Sequence, residues 1–204
     1  MHVSLDSALG RQRRLNSVGE SVLQIAPNAA AAYSLRSLTG GDPKVVRVRR
    51  DTDGGAGDND EQDFTASEVS SGALVAFVGS GNDGFVETWY DQSGNSNDAL
   101  QPTAGSQPKI VNAGTLLNEL DFDGTDDNFE LTRRIGMTSA GAIFSVAESG
   151  GGNDRLILDN RDGGVDGFRL MRLNDELQYR WQSSTVATST NPGTNTKFIA
   201  FANH

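Results

Sequence analysis

The hydrophobic pattern is one of many short strands cut by turns. Val45-Val46-Arg47-Val48-Arg49-Arg50 alternates apolar and charged residues, the period of a half-buried strand. Phe85-Val86-Glu87-Thr88-Trp89-Tyr90 reads as a second strand, entered through the tight-turn tripeptide Asn82-Asp83-Gly84. Further strands are predicted over 109–112, 119–122, 128–131, 142–148, 155–159, 167–173, 176–181 and 197–202. Glycine, asparagine and aspartate clusters separate nearly all of them. Leu177, Tyr179 and Trp181 alternate with Gln178, Arg180 and Gln182, which predicts one apolar and one polar face. The run Ala73–Val78 reads either as a short helix capped by Ser70 or Ser71 or as a buried strand. Many short strands at even spacing predict an all-β fold, a sandwich or barrel.

Residues 1–30 have a different texture. Apolar residues at patchy helical spacing are interrupted by Gly10 and Gly19, and Arg11, Arg13 and Arg14 form a basic cluster before Pro27 ends the segment. This stretch predicts an arm that docks on another chain, or a short helix packed on the body. Residues 31–204 then form the strand-rich body.

Composition sharpens this picture. Aspartate outnumbers glutamate 19 to 8, and glycine reaches 24 of 204 residues; both favour turns over a helical bundle. Cysteine is absent, which excludes disulfides, thiolate metal sites and a cysteine nucleophile. The two histidines, His2 and His204, stand at the chain ends, poor material for a Ser-His-Asp triad or a zinc site. No run of about 18 apolar residues predicts membrane insertion, and the first thirty residues lack a signal-peptide pattern. Net charge is -10: residues 1–50 hold eight basic and three acidic side chains, the remainder nine and 24. An acidic body repels phosphate, so nucleic acid is not an expected partner.

The strings Ala32-Tyr33-Ser34-Leu35-Arg36, Val46–Arg50, Ala73–Gly79 and Trp89-Tyr90-Asp91-Gln92-Ser93-Gly94-Asn95 carry a resemblance. Together they resemble the catalytic domain of fungal α-L-arabinofuranosidase B, and more closely the phage tail-fibre and virion proteins that carry such a domain. Leu120-Asp121-Phe122-Asp123-Gly124-Thr125-Asp126-Asp127 looks like the strand-turn motif of laminin-G-like, concanavalin A-like jelly rolls. The resemblance covers about residues 30–130 and implies a two-sheet antiparallel jelly-roll sandwich with a short N-terminal arm. Such domains continue with more strands after a segment like Lys197–Phe201, so the sandwich is expected to be incomplete.

A retaining glycosidase needs two carboxyl groups about 5 Å apart. The family's catalytic glutamate and aspartate and its vicinal cysteine pair find no match, so no catalytic residue is carried over. Trp89, Asp91, Gln92 and Asn95 are the candidate ligand-binding residues: an indole for stacking, and short polar groups for sugar hydroxyls. The structural reading is preferred: Trp89 and Tyr90 face opposite ways in a strand, so one of them is core, and Asp91 and Asn95 are turn residues bonding their own backbone. Arg11, Arg13 and Arg14 are the candidate partner-docking residues. The loop 51–61 is rich in aspartate but breaks the EF-hand spacing, so it reads as a surface loop. Asp121, Asp123, Asp126 and Asp127 form a second acidic cluster about a predicted Asp123-Gly124 hairpin turn. No metal and no cofactor is assigned.

The expectation is a bacteriophage virion protein, a tail fibre, head fibre or capsid decoration. Its partners would be other virion proteins and host-surface glycans, and it would be a homo-oligomer on the particle surface or otherwise extracellular. The alternatives are a glycoside hydrolase of the α-L-arabinofuranosidase kind and a secreted bacterial lectin-like adhesin.

Overall fold

A computed structural model of the chain describes residues 21–25, 27–52, 60–133, 135, 142–148, 155–159, 168–173, 176–181, 184–189 and 197–203. Arg11, Arg13, Arg14 and the centre of the 51–61 loop lie outside the described residues. The chain divides into two compact units. The first runs to Phe122 and includes Asn128–Glu130; the second comprises Asp123–Asp127 and Leu131 onward.

The first unit is built on strands β1 (Lys44–Asp51), β2 (Glu61–Thr65), β3 (Asp83–Trp89), β4 (Ala99–Leu100), β5 (Lys109–Asn112) and β6 (Thr115–Asp121). β1 lies between β2 and β3; β3 also pairs with β4 and β5, and β5 with β6. The short strand β7 (Glu130–Leu131) completes this seven-stranded sheet beside β4. Every pairing given a register is antiparallel. β1 departs from simple alternation: Val45, Val46, Val48 and Arg49 are buried, while Arg47 and Arg50 stay half-exposed. Register shifts at Lys44/Val46 and Arg47/Val48 break its simple alternation.

Three short helices accompany the sheet: α1 (Val22–Ile25), α2 (Ala66–Ser71) and α3 (Ala73–Val78). The run Ala73–Val78 is a helix, α3, but the cap expected from Ser70 or Ser71 is not made: its N-cap is Gly72, with no side-chain cap. Thr65 caps α2: its hydroxyl accepts from Glu68 N at 3.3 Å while Glu68 Oε2 accepts from Thr65 N at 2.8 Å, a reciprocal capping box. Ser70 and Ser71 instead donate back to the carbonyls of Ser67 and Glu68 within α2. Gly72, at φ +90°, ends α2 and starts α3 in a left-handed conformation that a side chain would strain. Leu74 and Val78 from α3 join Val45, Val46, Val48, Phe64, Val69, Val86, Ile110 and Val111 in the core.

The predicted turn at Asn82–Gly84 is also displaced. The reversal falls at Ser80–Gly81, and Asp83 and Gly84 belong to β3. Asn82 Nδ2 donates to Val78 O at 2.9 Å and closes the end of α3. Gly84 is required by packing, because a Cβ there would sit 2.9 Å from Val78 Cγ2 and 3.2 Å from Val111 Cβ.

The second unit holds β8 (Ala142–Glu148), β9 (Arg155–Asp159), β10 (Phe168–Leu173), β11 (Glu176–Trp181), β12 (Ser184–Ser189) and β13 (Lys197–Asn203). β9 to β12 form a four-stranded antiparallel meander, and β8 pairs antiparallel with β13. Gln178, expected on a polar face of β11, is buried. Phe144 and Val146 lie exposed on β8. Among the described residues no helix is long and apolar enough to cross a membrane.

Candidate functional site

The string Trp89–Asn95 leaves β3 and immediately turns back on residues 29–38. Asp91 organises the turn. Its carboxylate accepts from Ala32 N at 2.9 Å, Ser93 N at 2.8 Å, Ser93 Oγ at 2.7 Å and Asn97 N at 3.1 Å. Partial burial works against its charge, but these donors prevail and hold the carboxyl below the usual aspartate range. Gln92 is buried and uses its amide fully: Nε2 donates to Ser34 O at 2.9 Å and Arg36 O at 3.0 Å, and Oε1 accepts from Leu38 N at 2.7 Å. Asn95 Nδ2 donates to the carbonyls of Ala29 and Ala30. Asp91, Gln92 and Asn95 therefore form one polar clamp, which fixes the segment 29–38 against the end of β3.

Trp89 sits in an aromatic row. Its ring centroid is 5.5 Å from Tyr33 and 6.2 Å from Phe129, whose own ring meets Phe122 edge-on at 5.9 Å. Both ring contacts of Trp89 are tilted, at 44° to Tyr33 and 45° to Phe129. Tyr33 donates its hydroxyl to Asn97 O, and burial, followed by the charges of Asp91 and Asp98, holds that hydroxyl protonated well above the ordinary tyrosine value.

On the outer face of β2-β1-β3, Arg47 gathers three carboxylates. Its Nε lies 2.9 Å from Glu61 and 4.0 Å from Glu87, and its NH1 3.5 Å from Asp63. Asp63 also pairs with Lys44 at 2.6 Å and accepts from Tyr90 Oη at 2.7 Å. Burial opposes ionisation of Asp63, yet Lys44, Tyr90 and Arg47 together lower its pKa. Burial first, then Asp63, push the Tyr90 hydroxyl up to about 12. A general acid needs a raised carboxyl pKa, so this network suits structure better than proton donation.

Two of the cavities among the described residues lie on the first unit. A smaller one, about 300 Å³, is lined by Gln101, Pro102, Thr103, Ser106, Asn128 and Glu130. The larger, about 640 Å³, has Leu35, Ala66, Val69 and Leu116 as its apolar lining. Its polar lining is Arg36, Ser37, Asp42, Ser67, Ser70 and Asn118. The clamp stands behind one wall, since Gln92 bonds the main chain on either side of Ser37. The cavity residues escaped the sequence reading because no spacing links residues 35–42, 66–70 and 116–118; only the sheet and α2 bring them together. In the second unit, Asp123, Asp126 and Asp127 bring carboxylate oxygens within 4.8 Å of one another. The predicted Asp123-Gly124 hairpin turn is an Asx turn, with Asp123 Oδ1 accepting from Thr125 N and Asp126 N.

Comparison with solved structures now decides the fold. An α-L-arabinofuranosidase of family GH54 soaked with a cyclic sulfate inhibitor matches 91% of this chain at a TM-score of 0.60 and 14% identity. A Glu→Gln mutant of a GH54 α-L-arabinofuranosidase soaked with 4-nitrophenyl α-L-arabinofuranoside matches equally. The chain shares its fold with these arabinofuranosidases. It is an all-β antiparallel sandwich, as the strand pattern predicted. The chain spans about half of each matched structure, 48% of its length. No family model matches, and no curated protein matches.

Proposed function

We propose that the chain is a carbohydrate-recognising β-sandwich module whose ligands are glycans bearing α-L-arabinofuranose. The observation that supports this is the likeness over 91% of the chain to two α-L-arabinofuranosidase structures. Recognition is proposed ahead of hydrolysis on chemical grounds. A retaining hydrolase sets two carboxyl groups about 5 Å apart across the scissile bond. Among the described residues, the smaller cavity contributes Glu130 alone and the larger Asp42 alone. The carboxylates round Arg47 are tied to cations on an exposed sheet face.

Hydrolysis is the second reading, favoured because both matched structures are α-L-arabinofuranosidases. Calorimetric titration with arabino-oligosaccharides, run beside 4-nitrophenyl α-L-arabinofuranoside, separates the two. Saturable binding without nitrophenol release is the expected result; steady release would establish hydrolysis instead. The virion placement, with capsid or tail partners, host-glycan adhesion and homo-oligomerisation, rests on the sequence resemblance alone.

A further inference from the structure

We propose that the larger cavity of the first unit binds a sugar residue that carries a carboxylate, a uronic acid within an acidic glycan. The inference deepens the carbohydrate reading and rests on it. The cavity is about 640 Å³, the size of a small-molecule site, and it combines an apolar wall with a few convergent polar groups. Leu35, Val69 and Leu116 supply a surface for the C–H face of a pyranose ring. Arg36 also lines the cavity and is exposed, and its guanidinium makes no hydrogen bond or ion pair among the described residues.

A planar cation left unpaired at a cavity wall matches a carboxylate through two parallel hydrogen bonds. Asp42 forms no ion pair with it among the described residues. Both Asp42 oxygens face Ser67, accepting from its N at 2.8 Å and its Oγ at 2.6 Å. A carboxylate offers about four lone-pair sites, so Asp42 keeps acceptor capacity for a ring hydroxyl. Asn118 adds an amide that has no partner among the described residues, and it holds φ +61° within β6, a conformation asparagine tolerates. One donor fork, one acceptor carboxylate and one free amide beside an apolar wall describe a ligand with both a carboxylate and hydroxyls.

The wall that presents Arg36 is also fixed in advance. Gln92 Nε2 holds the Arg36 carbonyl at 3.0 Å, and Arg36 N donates to Ser34 Oγ at 3.0 Å. Gln92 thus acts on the cavity as a positioning residue, from within the protein.

The test titrates the full chain with a trigalacturonate and, separately, with neutral arabinotriose. The trigalacturonate is expected to bind saturably, to weaken with added salt, and to lose about tenfold in affinity in Arg36→Ala, as for one charged hydrogen-bonding group. Asn118→Gly keeps the positive φ and removes the amide, and it is expected to weaken the same ligand. Arabinotriose binding is expected to survive Arg36→Ala. Absence of trigalacturonate binding, or binding unchanged by Arg36→Ala, overturns the inference. So does equal loss of both ligands. If trigalacturonate binds while arabinotriose does not, the arabinofuranose reading fails and the cavity assignment stands.

Discussion

Asp91 shows how one carboxylate can hold a connection together. It accepts four hydrogen bonds from Ala32, Ser93 and Asn97, and they lower its pKa despite partial burial. Asp63 and Asp83 are lowered likewise, Asp83 by Ala113 N and Lys109 against its own burial. A carboxyl with a depressed folded pKa stabilises the fold above the unfolded value of about 3.9, and that contribution disappears as pH falls through the folded value. Thermal melting followed from about pH 6 to about pH 3 should therefore show a plateau and then a decline. Asp91→Asn should lower the plateau by about 1–3 kcal/mol, the loss expected for hydrogen bonds to a charged group, and flatten the decline. An unchanged acid slope would remove Asp91 from the account. Gly84→Ala tests the close approach of β3 to Val78 and Val111. Overpacking of this kind costs about 1–3 kcal/mol, measurable by urea denaturation; a neutral result would mean that the two valines move aside.

Helices and strands were legible in the sequence to different degrees. Strands β5, β8, β9 and β11 fall at the predicted residues, because their apolar runs are bounded by clear turn signals. β2, β4 and β12 were missed. Glu61-Gln62-Asp63-Phe64-Thr65 contains one apolar residue, since its polar side chains answer Lys44 and Arg47 across the strand pair. β4 has only two residues, too few for any period. The cap of α2 was legible in principle: Thr65-Ala66-Ser67-Glu68 is a capping box, but no helix was expected after it. Thr65→Ala should destabilise the first unit by about 1 kcal/mol. Urea midpoints compared with Thr65→Ser, which keeps the hydroxyl, check the effect; equal losses in both variants would point away from the cap.

At the scale of the molecule, the sequence pointed to the fold and to the loop that organises the first unit, and it favoured a structural over a ligand-binding role for the residues of that loop. Trp89, Asp91, Gln92 and Asn95 were singled out for ligand chemistry and also read as core and turn residues. The structure shows their polar groups and ring faces engaged with residues 29–38 and with neighbouring aromatics. A side chain's chemistry is visible in a sequence; its partner fifty or sixty residues away is not. The same limit hid Arg36 and Asn118, which meet at one cavity only after β6 and α2 are in place.

The central claim is that this sandwich recognises glycans bearing α-L-arabinofuranose. Isothermal titration of the whole chain with an arabino-oligosaccharide tests it most directly. The account predicts a saturable isotherm on folded protein, and a flat one on protein shown to be folded would contradict it.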